Sequence, residues 1–235
     1  MMNGLRKLFG SKPSGQGVPE ELPGAAMVRE QIASRGITDE RVLSIMARLD
    51  RRLFVAGQYR ESAFNDAPLP THGGQTISQP YIVAAMTEYL EAAAHHRVLE
   101  IGTGTGYQTA ILAELVREVI TVERDPVLAR ESAERLRQLG YSNVRCVAGD
   151  GFHGWPGDAP YDRILLTAAP VRVSPRLLDQ LAPDGIAVAP EGAVLSDSSH
   201  DACQKLRRWR RTAQGLSVED LINVRFVPLV EGSED

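Results

Sequence analysis

The segment Val98-Leu99-Glu100-Ile101-Gly102-Thr103-Gly104-Thr105-Gly106-Tyr107 reads as a buried strand that breaks into a glycine turn and continues as a helix. Glycines at such a junction let the backbone approach a ligand closely, and the helix that follows offers unpaired N–H groups. Short apolar runs then alternate with helical patterns, the mark of a parallel sheet with crossover helices. The strand candidates are 98–101, 118–123, 144–148, 163–167 and 185–189, with helices at 107–116, 126–139 and 175–181. Residues 205–211 and 221–229 read as two more strands about a turn at Gln214-Gly215, close enough in sequence to run antiparallel. The expected fold is α/β: a doubly wound, mostly parallel, seven-stranded, Rossmann-like sheet with an antiparallel C-terminal strand pair and extra N-terminal helices.

Upstream of the sheet, Met27 to Arg35 reads as a helix ended by Gly36, and Thr38 or Asp39 caps a second helix with the apolar stripe Val42, Ile45, Met46, Leu49. Residues 63–78 carry Pro68, Pro70, Gly73 and Gly74 and read as a loop, after which a helical pattern runs over 79–94. Residues 10–24 are dense in Gly, Pro and Ser and bury too little to order themselves. Leu5, Leu8 and Phe9 make at most one amphipathic turn. The expected organisation is a flexible tail over 1–25 and a single domain over 26–232, with a helical cover over 26–94 and a cofactor-binding core over 95–232.

Composition narrows the partners. A net charge of −4 argues against a broad nucleic-acid surface, which needs a cationic excess. The basic cluster Lys205, Arg207, Arg208, Arg210 and Arg211 around Trp209 reads as arginines presented outward on a sheet rim, guarding against edge pairing. Cys146 and Cys203 are too far apart in sequence for a metal cluster or a CxxC redox pair, so no metal is expected and a reducing, cytoplasmic setting is. The N-terminal segment lacks the apolar run of a signal peptide, and no window approaches a membrane span. A soluble monomer is expected. His72 lacks partners at ligand spacing and reads as a loop residue, and His95-His96 as exposed residues at a helix end.

The glycine turn selects among nucleotide-type ligands. A dinucleotide fingerprint needs glycine at 107, where Tyr107 stands, and no Lys-Ser or Lys-Thr pair follows to make a P-loop. Glu123 ends the next strand about 20 residues on, where a carboxylate can accept both ribose hydroxyls. Asp150, between Gly149 and Gly151, can take an adenine amino group, and Glu100 sits at the first strand's tip. Three carboxylates about one pocket would repel a pyrophosphate and suit a cation such as the sulfonium and ammonium of S-adenosylmethionine.

With these residues the chain resembles the class I S-adenosylmethionine-dependent methyltransferases, and more closely the protein-L-isoaspartate O-methyltransferase family. The most specific match is Gly74-Gln75-Thr76-Ile77-Ser78-Gln79-Pro80. Glu100 to Tyr107, Val122-Glu123-Arg124, Gly149-Asp150-Gly151, Tyr161-Asp162, Thr167-Ala168-Ala169, Leu181 to Gly185 and Val224 to Leu229 follow in order. The resemblance implies methyl transfer from S-adenosylmethionine to the free α-carboxylate of L-isoaspartyl residues in damaged proteins and peptides, the first step of their repair. It implies Ser78 as the active-site residue, and the hydroxyl is read as orienting the substrate carboxylate; the helix that follows at Gln79 also makes Ser78 its cap, and one hydroxyl can serve both roles. It also implies cofactor contacts from Gln75, Thr76, Ile77, Glu100, Gly102, Thr103, Gly104, Gly106, Glu123, Arg124, Asp150 and Gly151. The alternatives are a methyltransferase of this fold acting on a small molecule or RNA, and a non-catalytic S-adenosylmethionine-binding protein. Two stretches depart from the family pattern: 193–202 lacks the usual glycines, and Thr167-Ala168-Ala169-Pro170 is one alanine short. Both bear on substrate preference.

Overall fold

The computed structural model describes residues 22–71, 74–193 and 204–232. Most of the 1–25 tail, His72, Cys203 and residues 194–202 of the atypical segment lie outside these. Within them, Gly24 already packs on the domain, its N–H donating to the Ala47 carbonyl at 2.8 Å, while Leu22 and Pro23 are exposed.

The N-terminal helix expected at 27–35 is a composite. It starts as α1 (Ala25–Met27), passes through a π-helical stretch at Val28–Ile32 and tightens to a 3₁₀ turn at Ala33–Arg35. Gly36 ends it with φ 96, a left-handed conformation that glycine adopts without a Cβ clash. Asp39 caps α2 (Glu40–Arg48), its carboxylate accepting from the Arg41 and Val42 N–H groups. Val42, Ile45, Met46 and Leu49 are all buried, as their spacing requires. The expected loop over 63–78 contains a small antiparallel pair, β1 (Leu69–Pro70) and β2 (Thr76–Ile77). α3 (Pro80–Tyr89) is shorter than its periodicity suggested.

The sheet that follows has seven strands in the order β5-β4-β3-β6-β7-β8-β9. These are β3 (Arg97–Ile101), β4 (Glu118–Glu123), β5 (Val144–Ala148), β6 (Tyr161–Leu166), β7 (Leu181–Glu191), β8 (Gln204–Thr212) and β9 (Gly215–Val224). β3 to β7 are parallel and the last two antiparallel. The crossovers carry α4 (Tyr107–Leu115), α5 (Pro126–Gln138) and α6 (Pro175–Leu178). Alternation along the strands builds two cores. Val98, Val119, Leu165 and Val188 pack with Met86 and Ile111 on one face, and Leu99, Ile101, Ile120 and Leu166 pack with Leu177 and Trp209 on the other.

Several boundaries differ from those expected, for physical reasons. β7 begins at Leu181 because that residue pairs with Tyr161 ahead of a register shift, which also shortens α6. β9 starts at Gly215, six residues earlier than expected, because most of its residues are solvent-exposed at the edge and carry little apolar signal. Residues 225–229 leave the sheet. β8 is consequently an interior strand, so its arginines guard no edge. They are paired instead: Lys205 and Arg207 with Asp220, Arg207 also with Glu191, Arg208 with Glu91 and Glu219, Arg210 with Glu91. His95 is exposed, but His96 is buried; its Nδ1 accepts the Ala93 N–H at 2.9 Å, and burial lowers its pKa. No helix among the described residues is long and apolar enough to cross a membrane.

Candidate active site

β3 lies at the point where the winding reverses, with β4 on one side and β6 on the other, and a cleft of about 930 Å³ counting its mouth opens beyond the strands' C-terminal ends. Its floor is the glycine turn. Gly102 has φ 95, and a Cβ there would lie 2.3 Å from Thr167 Oγ1. Glycine thus lets the Thr167 hydroxyl reach the Gly102 carbonyl at 2.6 Å, tying the end of β6 to the turn. Gly104 donates its N–H to Glu123 Oε2 at 2.9 Å, and the Asp125 N–H donates to Oε1 at 3.0 Å. The last residue of β4 thereby braces the turn that follows β3 while its carboxylate lines the cleft.

Asp150 and Gly151 form the far wall after β5. Asp150 accepts the Phe152 N–H on Oδ1 at 2.9 Å and the Gly232 N–H on Oδ2 at 2.8 Å. Val227, Pro228 and Leu229 complete that wall. They are held by the Leu229 N–H donating to the Ala169 carbonyl at 2.8 Å and by Arg124 Nη1 donating to the Val230 carbonyl at 3.0 Å.

A groove runs alongside the cleft between Arg35 and Tyr81 on one bank and residues 222–227 on the other. Thr76, Ser78, Thr167 and Val227 line both. Ser78 does not cap α3: the cap position falls on Gln79, which makes no side-chain capping bond. The helix start is held instead by Asp66, whose Oδ1 accepts the Tyr81 N–H at 2.9 Å. The Ser78 carbonyl accepts from Arg51 Nη2 at 2.9 Å.

The protein-L-isoaspartate(D-aspartate) O-methyltransferase family, as a sequence profile, matches residues 24–234. The chain belongs to that family. A protein-L-isoaspartate O-methyltransferase of Synechococcus sp. is 50% identical over 204 residues, covering 87% of this chain and 84% of its own length. One from Parvibaculum lavamentivorans is 47% identical over 198 residues, covering 84% of this chain and 87% of its own. Among solved structures, a protein-L-isoaspartate O-methyltransferase superposes with a TM-score of 0.77 at 25% identity, over 88% of this chain and 66% of that one. A Plasmodium falciparum protein described as a beta-aspartate methyltransferase, in complex with S-adenosyl-L-homocysteine, shares the fold with a TM-score of 0.74 at 22% identity, over 90% of this chain and 100% of that one.

In this member of the protein-L-isoaspartate O-methyltransferase family the structure gathers Gln75, Thr76, Ile77, Ser78, Gly102, Thr103, Gly104, Glu123, Arg124, Asp150 and Gly151 around one cleft. Gly106 is not in its lining but shapes it, with φ 86 at the start of α4 and its N–H donated to the Thr103 carbonyl at 2.9 Å. Glu100 is a correction. It is absent from the cleft lining and fully buried. Its Oε2 accepts from Thr109 Oγ1 of α4 at 2.5 Å and Thr121 Oγ1 at 2.7 Å. The strand period of two sets this: Ile101 takes the cleft side, so Glu100 faces the opposite way with Val98. Burial pushes the Glu100 pKa up to about 7 against the two threonine bonds. Sequence reasoning also missed Tyr107 and Gln108 on α4 and gave no role to Thr167 or Val227. Tyr107 was signalled only as the residue that spoils a dinucleotide fingerprint.

Proposed function

We propose that this protein methylates the free α-carboxylate of L-isoaspartyl residues in proteins and peptides, with S-adenosylmethionine as donor, and so begins their repair. The observation that carries the reading is the wall of Thr76, Ser78, Thr167 and Val227, which faces the cleft on one side and the groove on the other. Donor and acceptor held in the two spaces would meet at Ser78.

The residues present fit the donor. The glycine turn forms a cradle in which a Cβ at Gly102 would clash, Glu123 turns a carboxylate into the cleft for ribose hydroxyls, and Asp150 keeps lone pairs for an amino group. When bound, the cofactor supplies an electrophilic methyl group on a sulfonium. The Ser78 hydroxyl, free of capping duty, donates to one oxygen of the acceptor carboxylate and fixes the direction of the other. No general base is required, because a carboxylate is already ionised at neutral pH. Orientation is what the protein contributes, an effect that can reach about 7–11 kcal/mol. Thr76 and Ile77 of β2 and the Val227 to Leu229 wall flank the meeting point, where bound ligands would displace water. The ion-paired arginines of β8 and the net charge of −4 speak against nucleic acid as the substrate.

The test is incubation with methyl-labelled cofactor and an isoaspartyl peptide beside its aspartyl twin. Base-labile label on the isoaspartyl peptide alone is the expected result. Label on neither, or equally on both, rejects the assignment.

A further inference from the structure

Arg51 is the largest fully buried side chain among the described residues. It opens the 3₁₀ turn Arg51–Phe54, and its guanidinium points toward the active site. Nε donates to the Ala63 carbonyl at 2.7 Å and Nη2 to the Ser78 carbonyl at 2.9 Å. Its Cζ lies 4.8 Å from the centre of the Tyr107 ring, and Tyr107, like Ser78, lines the cleft. Arg51 Nη1 and the Tyr107 hydroxyl oxygen are buried outside ordinary hydrogen-bond geometry with any other group and are each other's polar neighbour, so a neutral phenol is all that faces that corner of the guanidinium.

The counter-ion is what is missing. Among the described residues no carboxylate makes an ion pair with Arg51, and Asp66, whose charge reaches it, is engaged by Arg35 and the Tyr81 N–H. The β8 arginines show how this chain neutralises cations elsewhere. A sealed guanidinium with no carboxylate is costly to keep, and bulk or shape alone would be supplied more cheaply by an apolar residue. The arrangement makes sense if an anion arrives during the reaction cycle.

We propose that Arg51 is the positioning residue of the acceptor-carboxylate subsite: it fixes the Ser78 backbone, and so the aim of its hydroxyl, and its uncompensated charge is balanced by the carboxylate of the substrate. This rests on the function proposed above. In the transfer, a carboxylate oxygen forms the new bond to the methyl carbon, the carbon–sulfur bond breaks, and its electron pair stays on sulfur. The acceptor becomes a neutral ester, so the attraction from Arg51 ends when the reaction does. Arg51 therefore favours the acid over the ester and promotes release of the product.

The experiment measures binding of three peptides to the protein saturated with S-adenosylhomocysteine: the isoaspartyl acid, its α-methyl ester and its neutral α-amide. In the wild type the acid should bind at least about tenfold tighter than either neutral form, the factor expected of a unit charge over roughly 10 Å at an effective dielectric of about 20. Arg51→Gln should bring the three affinities together while affinity for S-adenosylhomocysteine stays unchanged. Arg51→Lys, which keeps the charge, should retain the preference for the acid while lowering kcat through the released Ser78. A residue with only a structural role would weaken acid and ester alike. Retained acid preference in Arg51→Gln overturns the proposal, and so does equal binding of all three peptides by the wild type, a result that needs no folded variant. A wild type that binds the acid but never methylates it rejects the proposed function instead and leaves the charge measurement readable.

Discussion

Replacing Glu100 by glutamine isolates what a buried, ionisable group costs this fold. In the folded protein its pKa rises from 4.5 to about 7, because burial outweighs the hydroxyls of Thr109 and Thr121. The folded state holds this proton more tightly than the unfolded chain does. Glu100 therefore costs least below the unfolded value, and stability falls as pH rises toward the folded value. Fully developed, the difference corresponds to about 3 kcal/mol, of which about 2.5 kcal/mol appears between pH 5 and pH 8. Glu100→Gln also has a cost that does not vary with pH. Its amide nitrogen finds no acceptor where Oε1 now stands without a partner, a penalty of about 1–3 kcal/mol. That constant cancels when the variant and the wild type are compared at two pH values. Urea unfolding at pH 5 and pH 8 should show Glu100→Gln gaining about 2.5 kcal/mol on the wild type across the interval. Parallel behaviour of the two proteins would refute the buried, ionising Glu100.

Other substitutions address the cleft. Ser78→Ala should lower kcat for the isoaspartyl peptide while S-adenosylhomocysteine binding, measured by calorimetry, stays within a few fold; equal losses in both would remove the orienting role. Glu123→Ala should weaken S-adenosylhomocysteine by about 1.5–3 kcal/mol per lost charged hydrogen bond, and it also frees the Gly104 N–H that the carboxylate now holds. Unchanged affinity would mean that Glu123 does not bind ribose. Gly102→Ala places a side chain at φ 95 against Thr167 Oγ1. Its urea midpoint should reflect a loss of at least about 1–3 kcal/mol, and an unaltered midpoint would show that the turn is looser than described.

The legible part of this protein was what local pattern controls. β4 and β5 start and stop where their apolar runs do, and Asp39 and Gly36 bound α2 and the segment before it as capping chemistry demands. The glycine turn, Glu123 and Asp150 were expected around one cleft and do line one, because glycines and strand-end acids keep fixed positions relative to a parallel sheet. What escaped depended on partners distant in sequence. Glu100 was placed in the cleft because its position along the strand was visible, whereas the face it occupies follows from where Thr109 and Thr121 stand. β9 was displaced because an edge strand with two wet sides has no alternation to read. Ser78 was given the cap of α3, a role that Asp66 fills from 15 residues upstream of Tyr81. Arg51 offered no sequence signal, since nothing in the stretch around it predicts a guanidinium sealed under Ser78.

The hydrogen bond from Arg124 to Val230 closes a span of 106 residues across the cleft wall. A chain truncated after β9 would keep every strand of the sheet and yet lack the wall from Val227 to Leu229. The sheet and the complete enclosure of the pocket therefore depend on different stretches of the chain. The enclosure hangs on a short stretch that contributes little to the sheet and much to the pocket.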